Sequence, residues 1–164
     1  MRLGGGMIEL IQMNQVELKE YLNVAIRNYA SEKVKSGNWR EEDAAERSEK
    51  EYASLLPKGV ETEGHHLFTI RDVATGRKVG MIWFGNSGAG DEIDGAWIWD
   101  FLIYEEERGK GFGKEALKEL DRILLGLGQK KISLQVFGHN EVAIHIYNAS
   151  GYKVTNLVMS KNLG

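Results

Sequence analysis

The chain has 164 residues, of which 42% are hydrophobic and 27% charged, with a net charge of -3 and no cysteine. This composition predicts one globular domain and excludes disulfides, thiolate metal sites and cysteine nucleophiles. The sequence has neither the dense basic stripe typical of nucleic-acid binding nor an apolar run suited to a membrane span or a signal peptide. We therefore expect a cytoplasmic protein that binds neither nucleic acid nor membrane.

Four stretches have the apolar spacing of helices. The first begins at Asn14, which has Glu17 three residues later and so predicts a capping box. The third is the most amphipathic, because an apolar stripe lies opposite a fully charged side. The predicted helices run from Asn14 to Gly37, from about Glu41 to Leu56, from Lys114 to Leu127 and from Glu141 to Gly151.

Alternating or β-branched segments between these helices predict strands at residues 8–11, 67–71, 79–84, 96–104, 131–137 and 152–160. A glycine-rich connection over residues 85–90 is expected to be mobile. Residues 1–6 show no periodicity and are expected to be disordered or foreign to the natural chain. The order of elements is a meander of strands followed by strand–helix–strand–helix–strand. It predicts an α/β sandwich with a mixed sheet, in a single domain over residues 1–164.

The most informative stretch is Arg108-Gly109-Lys110-Gly111-Phe112-Gly113, which joins a strand to the amphipathic helix. Glycines permit a tight turn and let main-chain N–H groups approach a ligand. The first N–H groups of a helix have no partners inside it, and the helix dipole adds positive potential there. The segment therefore predicts a pyrophosphate site, to which Arg108 and Lys110 add charge. The alternative is a glycine-rich connector without a ligand.

Two other glycine-rich motifs fit this segment poorly. A Walker P-loop needs Ser or Thr after Gly-Lys, but Glu115 follows Gly113-Lys114, and Arg108 stands where an earlier glycine is required. A dinucleotide fingerprint needs a third glycine at the position of Lys114 and lies early in a parallel unit. Neither nucleotide-binding fold is predicted.

The segment, with its lead-in Phe101–Glu106, resembles the acyl-CoA motif of the GNAT superfamily of N-acetyltransferases. A second motif, Asn140-x-x-Ala143-x-x-x-Tyr147-x-x-x-Gly151-Tyr152, follows in the order and at the separation used by that family. The resemblance is specific from about Phe101 to Tyr152 and only architectural over residues 8–96.

The resemblance implies a GNAT-type fold. This is a mixed twisted sheet of six to seven strands flanked by about four helices, with a splayed central pair of parallel strands opened by a β-bulge. It also implies acetyl-CoA as cosubstrate, no metal, and an amine acceptor as partner, with a homodimer left open. The coenzyme-binding residues that it implies are Phe101, Leu102, Ile103, Arg108, Gly109, Lys110, Gly111, Phe112, Gly113, Lys114, Asn140 and Ala143. Asn140 could equally be an ordinary N-cap for the helix that starts at Glu141.

Acetyl transfer to an amine sets chemical requirements. A lysine-like amine has a pKa of about 10.4, so a base or a water chain must take its proton. By resemblance, Tyr147 is the acid that protonates the departing thiolate; without the family it would be read as a core tyrosine. The glutamates that serve as base in some family members are replaced here by Trp97 and Gln135. Asp100 is the nearest acidic candidate, although a structural hydrogen-bond acceptor is an equal alternative.

Other chemistry-bearing residues give weaker indications. Glu92, Asp94 and Glu105 are further candidates for the base. The four histidines show no metal-ligand spacing and are expected to be packed or solvated. Trp97 and Trp99 share one strand face and could line an acceptor pocket. The run Glu105–Glu107 is expected to be a solvated turn.

The predicted function is an acetyl-CoA-dependent N-acetyltransferase; the alternative is a non-catalytic acyl-CoA-binding module.

Overall fold

Six strands and four helices make up the part of the chain that the structure, a computed structural model, describes: residues 2–3, 6–86 and 95–164. The strands are β1 (Arg2–Leu3), β2 (Ile8–Gln12), β3 (His65–Asp72), β4 (Lys78–Asn86), β5 (Ala96–Ile103) and β6 (Ile132–Leu134). The helices are α1 (Gln15–Lys35), α2 (Glu41–Leu55), α3 (Phe112–Gly126) and α4 (Glu141–Ala149). The predicted α/β class with a mixed sheet is confirmed.

Helix α1 starts where the sequence predicts. Asn14 Oδ1 accepts a hydrogen bond from the Glu17 N–H at 2.9 Å, and the Glu17 carboxylate accepts one from the Asn14 N–H at 3.1 Å. This reciprocal pair satisfies two helix-end donors that would otherwise lack partners. Beyond the C-terminal end of α1, Gly37 adopts a φ of 77°, which favours glycine and stops the helix.

The strands lie in the order β1-β2-β3-β4-β5-β6, so neighbours in the chain are neighbours in the sheet. The first five strands pair antiparallel, whereas β5 and β6 pair in parallel. A parallel pair needs a long crossover, and α3 supplies it. The N-terminal end of α3 therefore follows directly on the end of β5.

Two apolar cores cover the two faces of the sheet. On one face, α3 and α4 pack on the strands, and the α3 residues Ala116, Leu117 and Leu120 are fully buried. Burying one such leucine contributes about 1.5–3 kcal/mol. On the other face, α1 and α2 pack on Leu67, Met81 and Trp83. Strand β5 lies between these layers, so its side chains reach both cores.

A β-bulge interrupts β5 at Trp99. Trp83 pairs with Asp100 and Phe84 pairs with Ile98, which leaves Trp99 as the extra residue. Side chains two positions apart on a strand normally share a face, yet Ile98 and Phe101, three apart, both pack in the core beneath α3. The extra residue therefore re-aims the second half of β5, and a bulge at this place is what the family resemblance implied.

The bulge also ends the pairing of the parallel strands. Strand β6 pairs only with Ala96, Trp97 and Ile98. Residues 99–103 have no strand beside them on that side of the described sheet, because β5 turns away after Ile98. The implied opening between two parallel strands is therefore present next to the start of α3.

Of the two strands predicted near the C-terminal end, one forms but is shorter than expected and the other is wrong. The strand expected over residues 131–137 runs only from Ile132 to Leu134, where its pairing with β5 ends. The strand expected over residues 152–160 does not form; residues 153–160 are exposed and have no regular structure. A β-forming sequence needs a neighbouring strand to satisfy its backbone, and none lies beside this segment. The parallel pair thus lies at one edge of the described sheet rather than at its centre.

Two segments were expected to lack structure. Within residues 1–6, Arg2 and Leu3 pair with Ile11 and Leu10, so disorder does not extend to them. Residues 1, 4 and 5 lie outside the described part of the chain, as do residues 87–94, which include most of the glycine-rich connection. In the remainder, no helix is both long and apolar enough to cross a bilayer.

Candidate active site

Two glycines shape the loop between β5 and α3. Gly109 has a φ of 75° and Gly111 a φ of 87°, a region of backbone space that side chains disfavour. At either position an added Cβ would meet no atom within 4 Å, so both glycines face open space. The loop thus presents bare main chain beside the helix start.

The N–H groups of residues 109–114 donate to no carbonyl or side chain among the described residues. The first amide of α3 with a partner is that of Glu115, which donates to the Gly111 carbonyl at 3.2 Å. Unpartnered donors at a helix N-terminus, with the helix dipole behind them, make a site for an anion. The arrangement suits the diphosphate of a coenzyme.

Gly113 and Phe112 pack differently at the start of α3. A Cβ on Gly113 would lie 2.4 Å from Ile146 Cδ1 and 3.5 Å from Ile103 Cγ1. The absence of a side chain therefore lets the first turn of α3 approach α4 and β5 closely. Phe112 is buried in the core beneath α3, so only its main chain faces a ligand. Lys114 is exposed at the same helix start.

Charged side chains of the loop form ion pairs and hydrogen bonds within the protein. Glu107, expected in a solvated turn, is in fact only 3% exposed. Its carboxylate pairs with Arg77 and accepts from Lys110 Nζ at 2.8 Å. The hydrogen bond from Lys110 lowers the pKa of Glu107 below its ordinary value, and the charge of Arg77 adds to this. Arg108 Nε donates to the Ile103 carbonyl at 3.1 Å.

The predicted pantetheine residues Phe101, Leu102 and Ile103 lie on the part of β5 beyond the bulge, where β6 no longer pairs. Phe101 and Ile103 pack their side chains in the core, whereas the Leu102 side chain is 36% exposed. The Phe101 N–H donates to Asp100 Oδ1 at 2.9 Å. The chain thus already uses one of the predicted main-chain contacts.

Tyr147 reaches this region from α4. It is 9% exposed, and its ring centroid lies 6.2 Å from that of Phe101 and 5.4 Å from that of Tyr152. Its hydroxyl makes no hydrogen bond within the described residues. Burial raises the pKa of Tyr147 above its ordinary value, and the negative charge of Asp100 raises it further. Tyr147 is therefore a neutral phenol with a free hydroxyl.

Asn140 and Ala143 form the start of α4. The Asn140 side chain accepts a hydrogen bond from the Ala143 N–H at 3.2 Å, which makes Asn140 the N-cap of this helix. The alternative reading of Asn140 as an N-cap is therefore confirmed, and its contact with a coenzyme stays a prediction.

Asp100 lies half-buried on the other side of β5. The Tyr21 hydroxyl, 79 positions earlier in the chain, donates a short hydrogen bond to Asp100 Oδ2. Burial raises the pKa of the Asp100 carboxyl, while the hydrogen bonds from Tyr21 and from the Phe101 N–H oppose that rise. Sequence reasoning missed Tyr21 as a partner, since its helical spacing indicated only a core position.

Aromatic side chains surround this carboxylate. The rings of Trp83 and Trp99 stack with centroids 5.8 Å apart, and Tyr52 lies 6.0 Å from Trp83. Trp83 Nε1 donates to His65 Nδ1 at 3.0 Å, which confirms a packed role for that histidine. Trp97 and Trp99 are in edge contact at 6.2 Å, as their shared face predicted. The indole N–H of Trp99 is buried and has no described partner.

The remaining candidate acids do not join this cluster. Glu105 is exposed in the short 3-10 turn before the loop. Glu92 and Asp94 lie outside the described residues. Across residues 2–3, 6–86 and 95–164, no group of three His, Asp or Glu side chains is placed to hold a metal ion.

Comparisons with known proteins agree with this geometry. The acetyltransferase (GNAT) family profile matches residues 25–152. The uncharacterized N-acetyltransferase YycN of Bacillus subtilis strain 168 is 40% identical over 160 residues, 95% of this chain and 99% of that protein. The uncharacterized N-acetyltransferase YdgE of the same strain is 33% identical over 154 residues, 94% of this chain and 97% of that protein.

Solved structures show the same fold. The crystal structure of YycN has a TM-score of 0.86, covering 95% of this chain and 98% of that one at 40% identity. AAC(6')-Iy, solved in complex with the bisubstrate analogue CoA-S-monomethyl-acetylneamine, has a TM-score of 0.58 at 13% identity, covering 96% of this chain and 98% of that one. At that identity the likeness concerns the fold alone.

Proposed function

Because the chain belongs to the acetyltransferase (GNAT) family, and is thus an acyltransferase, we propose that it transfers the acetyl group of acetyl-CoA to a primary amine by direct attack in a ternary complex. The observation that carries this proposal is the run of free main-chain N–H groups over residues 109–114 at the start of α3. They lie beside the unpaired flank of β5.

The residues present fit the coenzyme. The open space at Gly109 and Gly111 leaves room for a diphosphate against the amides, and Lys114 is exposed nearby. The main chain of Phe101, Leu102 and Ile103 would pair with the pantetheine arm as an added strand does. Lys110, Arg108, Phe112, Gly113, Asn140 and Ala143 complete the proposed set. When bound, acetyl-CoA supplies an acetyl group activated as a thioester.

Tyr147 is the proposed acid. Its hydroxyl is free, its ring lies against Phe101, and its raised pKa keeps the proton in place at neutral pH. A neutral phenol at this position can give a proton to the departing thiolate. Burial of the ring in the core does not prevent this role, because only the hydroxyl has to reach the groove.

Asp100 is the proposed base for the amine. It lies at the bulge, directly before the strand segment that would bind the pantetheine arm. Its raised pKa makes it a better proton acceptor than an ordinary aspartate once it is ionised. The amine would thus be deprotonated from the side of the sheet that α1 and α2 cover.

Thiol release from acetyl-CoA tests the proposed reaction. A lysine-containing peptide, spermidine and kanamycin represent protein, polyamine and aminoglycoside acceptors. We expect release that depends on one of these amines and requires Asp100. Coenzyme binding without release from any amine would instead support a non-catalytic acyl-CoA-binding module. That alternative is favoured by one observation, since both oxygens of Asp100 already accept hydrogen bonds from the protein.

A further inference from the structure

We propose that Tyr21 is a positioning residue of the acetyl transfer reaction, which holds the Asp100 carboxylate against the bulge of β5 through its hydroxyl. This inference rests on the proposed function, because it takes Asp100 as the base for the amine. It adds a residue of α1, far from both coenzyme motifs in the sequence, to the machinery of the reaction.

The geometry fixes the carboxylate from two directions. The Tyr21 hydroxyl donates to Oδ2 of Asp100, and the Phe101 N–H donates to Oδ1 at 2.9 Å. A carboxylate has about four acceptor sites, so these two donors orient the group and still leave lone pairs free. Asp100 can therefore be held in place and yet receive a proton from an amine.

Tyr21 is itself well anchored. It lies on α1 between Leu18, 3% exposed, and Ala25, 7% exposed, and it packs in the core beneath α1 and α2. Its ring is thus fixed by packing, and a phenylalanine would fill the same space. The hydroxyl is the only part of Tyr21 that the packing does not need.

No cation offsets the burial of Asp100 among the described residues. The titratable groups that face it are phenols, namely Tyr21 from α1, Tyr52 from α2 and Tyr147 from α4. These are neutral at physiological pH. Within the described part of the chain, the Tyr21 hydroxyl is therefore the one side-chain donor to the ionised carboxylate. Its hydrogen bond lowers the pKa of Asp100 against the effect of burial.

Tyr29 provides a matched control. It lies on α1, eight positions after Tyr21, and its hydroxyl pairs with Glu51 rather than with Asp100. Tyr52 would not serve, because its hydroxyl interacts with that of Tyr21. Tyr21→Phe and Tyr29→Phe remove the same atom from two rings of one helix, and only the first change takes a donor from the carboxylate.

The test combines two readouts on the full chain. Titration of aspartate carboxyl carbons by NMR, with Asp100 assigned through Asp100→Asn, reports its midpoint without any substrate. The pH dependence of kcat/KM is measured with whichever of the lysine peptide, spermidine or kanamycin reacts fastest. Losing a hydrogen bond to a charged group should move the Asp100 midpoint up by about one pH unit in Tyr21→Phe, with the acidic limb of kcat/KM following it.

At a pH below that limb, the rate of Tyr21→Phe should fall about tenfold, while Tyr29→Phe keeps the wild-type midpoint and limb. An unchanged Asp100 midpoint in folded Tyr21→Phe overturns the inference, even if Asp100→Asn is inactive and the proposed base stands. A midpoint that moves while Asp100→Asn retains the wild-type rate instead removes Asp100 as base, and with it any part of Tyr21 in the reaction. The NMR titration decides the first point even where none of the three amines reacts.

Discussion

The two sides of β5 differ in what builds them. On the proposed coenzyme side, the site consists of main-chain N–H groups, positive-φ glycines and the unpaired edge of a strand. On the proposed acceptor side, it consists of one half-buried carboxylate, Asp100, among aromatic side chains from four different elements. The loop and helix start of the first side need only local backbone geometry, whereas the second side depends on side chains brought together by the whole fold.

This difference predicts how the two sides respond to mutation. Side-chain changes on the acceptor side should alter turnover and its pH dependence and leave coenzyme binding intact. Backbone or loop-anchoring changes on the coenzyme side should alter coenzyme affinity first.

The largest effect is expected for Asp100→Asn. Loss of a general base typically reduces the rate by about 10² to 10⁴-fold, so kcat should fall in that range while coenzyme affinity, measured by calorimetry, stays constant. Asp121→Asn, a change of an exposed carboxyl on α3, is the control and should keep the wild-type rate.

Asp100→Asn should also change the pH dependence of protein stability. Because burial raises the folded-state pKa of Asp100, the folded protein binds that proton more tightly than the unfolded chain does. Wild-type stability should therefore decline as pH rises through the raised pKa. Asp100→Asn lacks this decline, so in thermal melts it should gain stability relative to wild type at neutral pH and not at pH 3. An equal difference at both pH values would contradict an ionised, buried Asp100.

A smaller effect is expected for Tyr147→Phe. Removing the acid should lower kcat by about a hundredfold, the low end of the range for general acid–base catalysis, with little change in the KM for acetyl-CoA. Tyr152→Phe is the matched control, because the ring of Tyr152 lies 5.4 Å from that of Tyr147 and its buried hydroxyl has no partner among the residues that the structure describes. Equal rates for the two variants would show that the Tyr147 hydroxyl does not act as the acid of the reaction.

The smallest of these effects is expected for Glu107→Gln. This buried carboxylate joins Lys110 of the loop to Arg77 of the β3–β4 turn. Without its charge, the loop loses an anchor, and coenzyme affinity should weaken severalfold by calorimetry, with kcat nearly unchanged. Glu106→Gln, its exposed neighbour, should bind as wild type does. Tighter coenzyme binding in Glu107→Gln would mean that the carboxylate only repels the diphosphate.

The coenzyme side was largely readable from the sequence for a physical reason. Glycine spacing and an amphipathic helix specify local backbone geometry, so the loop and the start of α3 follow from residues 108–114 themselves. The bulge and the opening beside β5 followed only from the family resemblance. The burial of Glu107 was not predicted, because a run of three glutamates does not indicate that one of them pairs with Arg77, 30 positions earlier in the chain.

The acceptor side could not be read in the same way. Tyr21 and Asp100 are 79 positions apart, and the local sequence around neither residue predicts the hydrogen bond between them. The strand expected over residues 152–160 failed for a related reason, because strand formation depends on a neighbour that the segment's own pattern does not specify. Long-range pairing, in both cases, decided the outcome.

Two glycine variants test whether the amides at the start of α3, which have no partner among the described residues, bind the coenzyme diphosphate. Gly111 and Gly128 both have positive φ, 87° and 78°, and both face open space at opposite ends of α3. A tryptophan at either position costs a similar backbone strain of about 1–2 kcal/mol, but only Gly111→Trp covers the amides.

Calorimetric titration with coenzyme A should show wild-type affinity for Gly128→Trp and at least about tenfold weaker binding for Gly111→Trp, since a blocked anion site loses several charge-assisted hydrogen bonds. Wild-type affinity in a folded Gly111→Trp protein would contradict the account.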